Sequence, residues 1–142
     1  MPDPDALAAA HAAAFSGPAR WSAAAFAEAM RDPLCFFVPP PAGGADGFAL
    51  GRTVADEAEL LTLLVDPAWR SQGAGRRLLA QFEAEAQSRG AARAFLEVAA
   101  DNTAALSLYH SAGWRETGRR PGYYEGVDAL AMGKALVRPP TP

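Results

Sequence analysis

Chemistry is first legible in the stretch Arg70-Ser71-Gln72-Gly73-Ala74-Gly75-Arg76. It follows an apolar run ending in Val65-Asp66-Pro67 and leads directly into a segment with helical apolar spacing. A strand, a glycine-containing turn and a helix start together make an anion site. The first helical N–H groups lack intrahelical partners, the helix dipole adds partial positive charge, and glycine lets the backbone approach a ligand closely. Arg70, Arg76 and Arg77 add fixed charge. Two nucleotide-binding readings fail here. A P-loop needs a Gly-Lys-Ser/Thr ending, but the only lysine is Lys134. A dinucleotide fingerprint needs a third glycine where Leu78 stands. The second chemical oddity is Glu97, a carboxylate between Leu96 and Val98 that shares a strand face with Phe95 and Ala99. A carboxylate in such a place is paired, solvated by a cleft, functional, or turned to solvent at an edge.

The surrounding pattern defines the elements that must position these groups. Residues 5–16 read as an Ala-rich helix closed by Ser16, Gly17 and Pro18, and a second helix starts at Ser22 as N-cap and runs to Arg31. Cys35–Val38, followed by three prolines, suits an edge strand. Strands are expected over Phe48–Val54 and Glu59–Val65, joined by a short turn near Asp56-Glu57. Ala74, Leu78, Phe82 and Ala86 recur every four residues and predict a helix ended by Gly90, with Glu83, Glu85, Gln87 and Arg89 facing elsewhere. Phe95–Ala99 is the next strand. Asp101-Asn102-Thr103 then caps a helix over Ala104–Ser111. Trp114–Thr117 and Asp128–Leu136 read as final strands joined by a loop carrying Arg119-Arg120-Pro121-Gly122-Tyr123-Tyr124. No repeat or linker divides the chain, so residues 1–142 are expected to form one domain, frayed over 1–4 and 138–142.

Composition removes several classes of function. The chain has 142 residues, is 50% hydrophobic and carries a net charge of −3. It is too apolar for disorder and too acidic for a dedicated nucleic-acid binder. One cysteine, Cys35, leaves neither a disulfide framework nor a cysteine zinc site, and no metal is expected. The apolar stretch Ala6–Phe15 is too short to span a bilayer, and Asp3 and Asp5 precede it where a signal peptide would carry positive charge. A cytoplasmic protein without membrane contact is expected.

The turn resembles the pyrophosphate-binding motif of the Gcn5-related N-acetyltransferase (GNAT) superfamily, Arg/Gln-x-x-Gly-x-Gly/Ala after a strand ending in Val-Asp-Pro. A second block follows in order: Leu96-Glu97-Val98, Asn102, Ala105-Leu106-Ser107-Leu108-Tyr109 and Gly113-Trp114. Together they cover about Phe15 to Leu136. Trp21-Ser22 with Phe26, and Arg120-x-x-Tyr123-Tyr124 with Asp128-Ala129, are similar to the RimI branch, whose members acetylate the N-terminal alanine of a small-subunit ribosomal protein. The resemblance implies an α/β (α+β) GNAT fold, a mixed central sheet of about six strands flanked by about four helices. One departure is plain: Asp3-Pro4-Asp5 leads almost straight into helix, so the usual first strand is short or missing.

The implied reaction is acetyl transfer from acetyl-coenzyme A to an amine. It needs a neutral amine, a stabilised oxyanion, a protonated leaving thiolate and aligned reactants. Glu97 is the candidate base. An α-amine with a reference pKa near 8 demands only a modest one. The resemblance assigns the acid to Tyr109, which could equally form a core pair with Leu106. It also implies that the backbone of Leu63, Leu64 and Val65 holds the pantetheine and oxyanion, that Arg70 through Arg76 and Asn102 contact coenzyme A, and that Trp21, Tyr123 and Tyr124 shape the acceptor pocket. Asn102 is equally an ordinary helix cap. His110 and the Arg119-Arg120 pair read as solvated surface, His11 has no evident partner, and Cys35 reads as a buried thiol. With no apparent nucleophilic cysteine, direct transfer in a ternary complex is expected, by a monomer or weak dimer, to a protein acceptor with a free N-terminus. The competing functions are the same chemistry on a lysine or small-molecule amine, and a non-catalytic acyl-coenzyme A sensor, against which the retention of Glu97 and Tyr109 argues.

Overall fold

The computed structural model describes residues 3–14, 21–39, 47–65 and 73–136. In chain order these form α1 (Pro4–Ala14), α2 (Ala23–Arg31), β1 (Cys35–Val38), β2 (Gly47–Val54), β3 (Glu57–Val65), α3 (Ala74–Ser88), β4 (Arg93–Ala99), α4 (Thr103–Ser111), β5 (Arg115–Tyr124) and β6 (Val127–Ala135). The six strands make one sheet in the order β1-β2-β3-β4-β6-β5, antiparallel except for the parallel pair β3–β4.

Two apolar cores sit on opposite faces of this sheet. On one face α3 and α4 cover Phe36, Ala49, Leu60, Leu96, Leu130 and Met132, and the apolar stripe Ala74, Leu78, Phe82 and Ala86 is buried there together with Leu79. On the other face α1 and α2 cover Phe48, Leu50 and Leu64 with Leu7 and Phe26. The predicted caps are in place: Ser22 accepts the Ala25 N–H and Asn102 accepts the Ala105 N–H, both at 3.1 Å.

β3, like β2, serves both cores, and a bulge shifts which of its residues face each. Opposite the regular pair Leu50–Gly51 of β2, it inserts Leu61 between Leu60 and Thr62. Ala58, Leu60, Leu63 and Val65 therefore pack toward α3, whereas Leu61, Thr62 and Leu64 lie on the α1–α2 side.

Several sequence expectations need correction. The segment carrying Arg119 to Tyr124 is strand rather than loop, since β5 runs to Tyr124 and only Glu125-Gly126 turns the chain, with φ of 48° and 94°. Trp114 is not its first residue but a core side chain, 1% exposed. β3 and β4 each begin two residues earlier than expected. Glu83 does not face away: its carboxylate takes Lys134 Nζ at 2.7 Å and the Trp114 indole N–H at 3.2 Å, joining α3 to β6.

Candidate active site

The β3–β4 ladder is short. Pairing is confined to Glu57–Arg93, Ala58–Ala94 and Glu59–Phe95, although β3 continues to Val65 and β4 to Ala99. Beyond Glu59 the two parallel strands separate. The central sheet is thus split along its middle, and the β4-facing edge of Leu60 to Leu64 forms no ladder with β4. The parting frees this edge of Leu63 to Val65, the backbone that the resemblance gives to the pantetheine, and residue spacing cannot reveal it.

The start of α3 lies at one end of the split. Gly73 is its N-cap with φ +82°, a left-handed conformation that suits glycine, and among the described residues no side chain caps the helix. Leading N–H groups of a helix have no intrahelical partner and suit an anion. Gly75 sits against Leu108 of α4 and Val65 at the end of β3, so the helix start, the strand end and α4 meet at one place. Of the predicted anion-binding residues, Arg70, Ser71 and Gln72 lie outside the described residues. Arg76 is engaged elsewhere: its guanidinium donates to Ser111 Oγ at 2.8 Å and to the Ser111 carbonyl at 2.9 Å, tying α3 to the end of α4. Asn102 is occupied as the α4 cap.

Glu97 and Tyr109 occupy opposite sides of the split. Tyr109 is on the α3–α4 side, 7% exposed, with its ring 6.1 Å from Trp114. Burial pushes its phenol up to about 12. Glu97 is on the other side, with 28% of its side chain exposed, so it is not a solvent-facing edge carboxylate. Its Oε2 is 2.9 Å from Arg120 Nε, and the Arg120 guanidinium in turn lies 4.9 Å from the centre of the Tyr123 ring.

The side of Glu97 is walled by two aromatic groups. Tyr123 and Tyr124 meet edge to face at 5.1 Å near the β5–β6 turn. Burial and then the Glu97 charge raise the Tyr124 phenol above its usual range. Asp128 braces this hairpin, accepting from Arg119 and from the Gly122 N–H, both at 2.9 Å, and these bonds hold its carboxyl below the usual range. Arg119 and Arg120 are therefore paired strand residues and not a solvated turn. The other wall is Trp21, its ring tilted 40° against Phe26 at 5.0 Å. The Trp21 backbone N–H donates to His11 Nδ1 at 3.1 Å, so the ring proton of this buried histidine is on Nε2, which donates to Thr62 Oγ1 at 3.0 Å. His11 thus has partners that its sequence neighbours do not reveal, while His110 is exposed as expected. Cys35 is half-buried, and burial pushes its thiol up to about 11, far from a reactive thiolate at neutral pH.

Two residues of this face have roles that sequence spacing does not show. Arg120 belongs to the Arg120-x-x-Tyr123-Tyr124 motif, but it meets Glu97 only through the β4–β6–β5 register, in which Glu97 pairs with Ala131 and Arg120 with Ala129. Glu59 is the second: it pairs with Phe95 at the last rung before the split and shares the face of Glu97.

Comparison with known proteins agrees with this arrangement. Residues 7–114 match the pattern of the Acetyltransferase (GNAT) family. The chain is 39% identical over 108 residues to the [ribosomal protein bS18]-alanine N-acetyltransferase of Escherichia coli K12, covering 76% of this chain and 73% of that one. It is 42% identical over 125 residues to the N-alpha-acetyltransferase RimI of Mycobacterium tuberculosis H37Rv, covering 83% and 77%. The crystal structure of the ribosomal-protein-S18-alanine N-acetyltransferase from Escherichia coli superposes with a TM-score of 0.81 at 33% identity, over 99% of this chain and 93% of that one. With its split sheet and a glycine-led α3 at the end of the split, this chain belongs to the GNAT family and is an acetyl-CoA-dependent N-acetyltransferase.

Proposed function

We propose that the chain acetylates the N-terminal α-amine, alanine first, of a small-subunit ribosomal protein by direct attack within a ternary complex in the cytoplasm. The observation that carries this reading is the placement of Glu97 and Tyr109 on opposite sides of one strand split. An amine brought to the gap from the Glu97 side can add to the thioester carbon, and the tetrahedral adduct can then expel the thiol toward the Tyr109 side. The activities of the two relatives support the acceptor, and the aromatic walls of Trp21, Tyr123 and Tyr124 support a peptide end rather than a flat surface.

In this reading the backbone along Leu63, Leu64 and Val65 lines the thioester, and the leading N–H groups of α3, with Arg70 to Gly75, take the pyrophosphate. Asn102 lies beside the cofactor while it caps α4. Glu97 removes the amine proton, directly or through one water. Tyr109 stays neutral at any physiological pH and donates a hydrogen bond to the sulfur. A phenol near 12 facing a thiol near 8.5 is mismatched by about 3 to 4 pK units, roughly 5 kcal/mol against full transfer from the phenol alone. The proton released by the amine therefore completes the balance. Cys35 takes no part.

The test is turnover with an alanine-initiated peptide against the same peptide blocked at its N-terminus. Acetylation of the free peptide alone is expected. Equal acetylation of both, at an internal lysine, would refute the α-amine assignment.

A further inference from the structure

We infer that Glu59 receives the ammonium group of the acceptor: its half-buried carboxylate lies on the Glu97 face at the last rung before β3 and β4 part, with no ion-pair partner among the described residues. The inference rests on the α-amine reading and adds a residue that binds the amine before the base acts.

The charges around the split leave this one carboxylate unanswered. From β2, in register with Glu59, comes Arg52, but its Nε is held by Asp32 Oδ2 at 3.0 Å. Across the split, Glu97 is matched by Arg120 at 2.9 Å. Cys35, in register with Arg52, is a neutral thiol, and Tyr124 is a neutral phenol. Two guanidinium groups thus face three carboxylates, a surplus of one negative charge located at Glu59. Burial, reinforced by the Glu97 charge and only partly opposed by Arg52, holds the Glu59 carboxyl above its usual range, the mark of a site short of a cation.

A peptide α-amine has a reference pKa near 8 and is mostly ammonium at pH 7. It brings the missing cation. Glu59 takes no proton in this scheme; it holds the ammonium while Glu97 accepts the proton, and the freed lone pair attacks the thioester carbon. Charge capture and proton removal are thereby divided between two carboxylates on adjacent strands.

The experiment is steady-state kinetics of Glu59→Gln with an alanine-initiated peptide and acetyl-CoA from pH 6.5 to 9. The peptide KM is expected to rise at least tenfold at pH 7, with the acetyl-CoA KM and the kcat at saturating peptide within threefold of wild type. The defect is expected to shrink as pH passes 8, because a neutral amine needs no counter-charge, and Glu59→Asp should recover part of the affinity. An unchanged peptide KM, a defect flat across pH, or a parallel rise in the acetyl-CoA KM would overturn the inference. Should wild type acetylate only an N-terminally blocked, lysine-bearing peptide, the α-amine reading falls by itself. Glu59 is then judged on that amine, where equal KM values in wild type and variant overturn it and a tenfold rise sustains it.

Discussion

Replacing Tyr109 by Phe isolates one hydroxyl. The ring that packs 6.1 Å from Trp114 is kept, so at neutral pH the fold should lose no more than about 1 kcal/mol. Catalysis should lose far more, because general acid–base groups typically contribute about 10²–10⁴-fold. At least a tenfold fall in kcat is expected, with coenzyme A affinity unchanged. The burial of this phenol supplies a second, independent readout. Its folded value of about 12 lies above the unfolded value near 10, so below pH 10 both states hold the proton and nothing is lost. Between pH 10 and 12 the unfolded chain ionises while the folded one does not, and the folded state loses about 3 kcal/mol. Wild type should therefore be destabilised over that interval relative to Tyr109→Phe, measured as the difference between their denaturant midpoints from pH 9 to 12. Single-turnover rates within threefold of each other would refute the catalytic role, and parallel alkaline curves would refute the argument from burial.

Other perturbations have equally definite outcomes. Glu97→Gln should slow turnover at least tenfold while leaving coenzyme A binding intact by calorimetry, since it removes the base but not the volume. Gly51→Ala should cost about 1–3 kcal/mol in chemical denaturation, because the added methyl would come within 2.6 Å of the Phe36 and Phe82 rings, which are stacked at 5.7 Å. Acid should loosen the fold at two braces. Asp32 is held low by the Leu34 N–H and then Arg52, and Asp128 by the Gly122 N–H and then Arg119. Both contribute stability above the unfolded value near 3.8 that is lost as pH falls through the lower folded value, so Asp128→Asn should flatten the acid limb of a thermal unfolding series.

What could be read from sequence was local. The α3 stripe and the Ser22 and Asn102 caps depend on residues three or four apart, and each appears where expected. Residues 119–124 misled because β5 is an edge strand exposed on both sides. Without a buried face it has no two-residue apolar rhythm, and Pro121 with Gly122 imitates a loop. Glu59, Arg120 and the strand split were out of reach for another reason. They depend on which rungs pair across β3, β4, β6 and β5, and register is set by tertiary packing rather than by any one strand. Arg76 gains a second partner that the motif does not show, since its guanidinium also ties α3 to Ser111.

The single inserted residue Leu61 changes the parity of β3. Before it, even-numbered side chains belong to the α3 layer; after it, odd-numbered ones do. Thr62 can meet His11, and so anchor the Trp21 wall, only because of that change of phase. Strict alternation through the same residues would turn Thr62 and Leu64 toward α3 and Leu63 and Val65 away from it, whereas deleting Leu61 itself would close the bulge and leave every other β3 side chain on its present face. A deletion at any other β3 position shifts the phase of the strand against one of the two cores, so Leu61 is the one residue of this strand whose loss the faces can absorb.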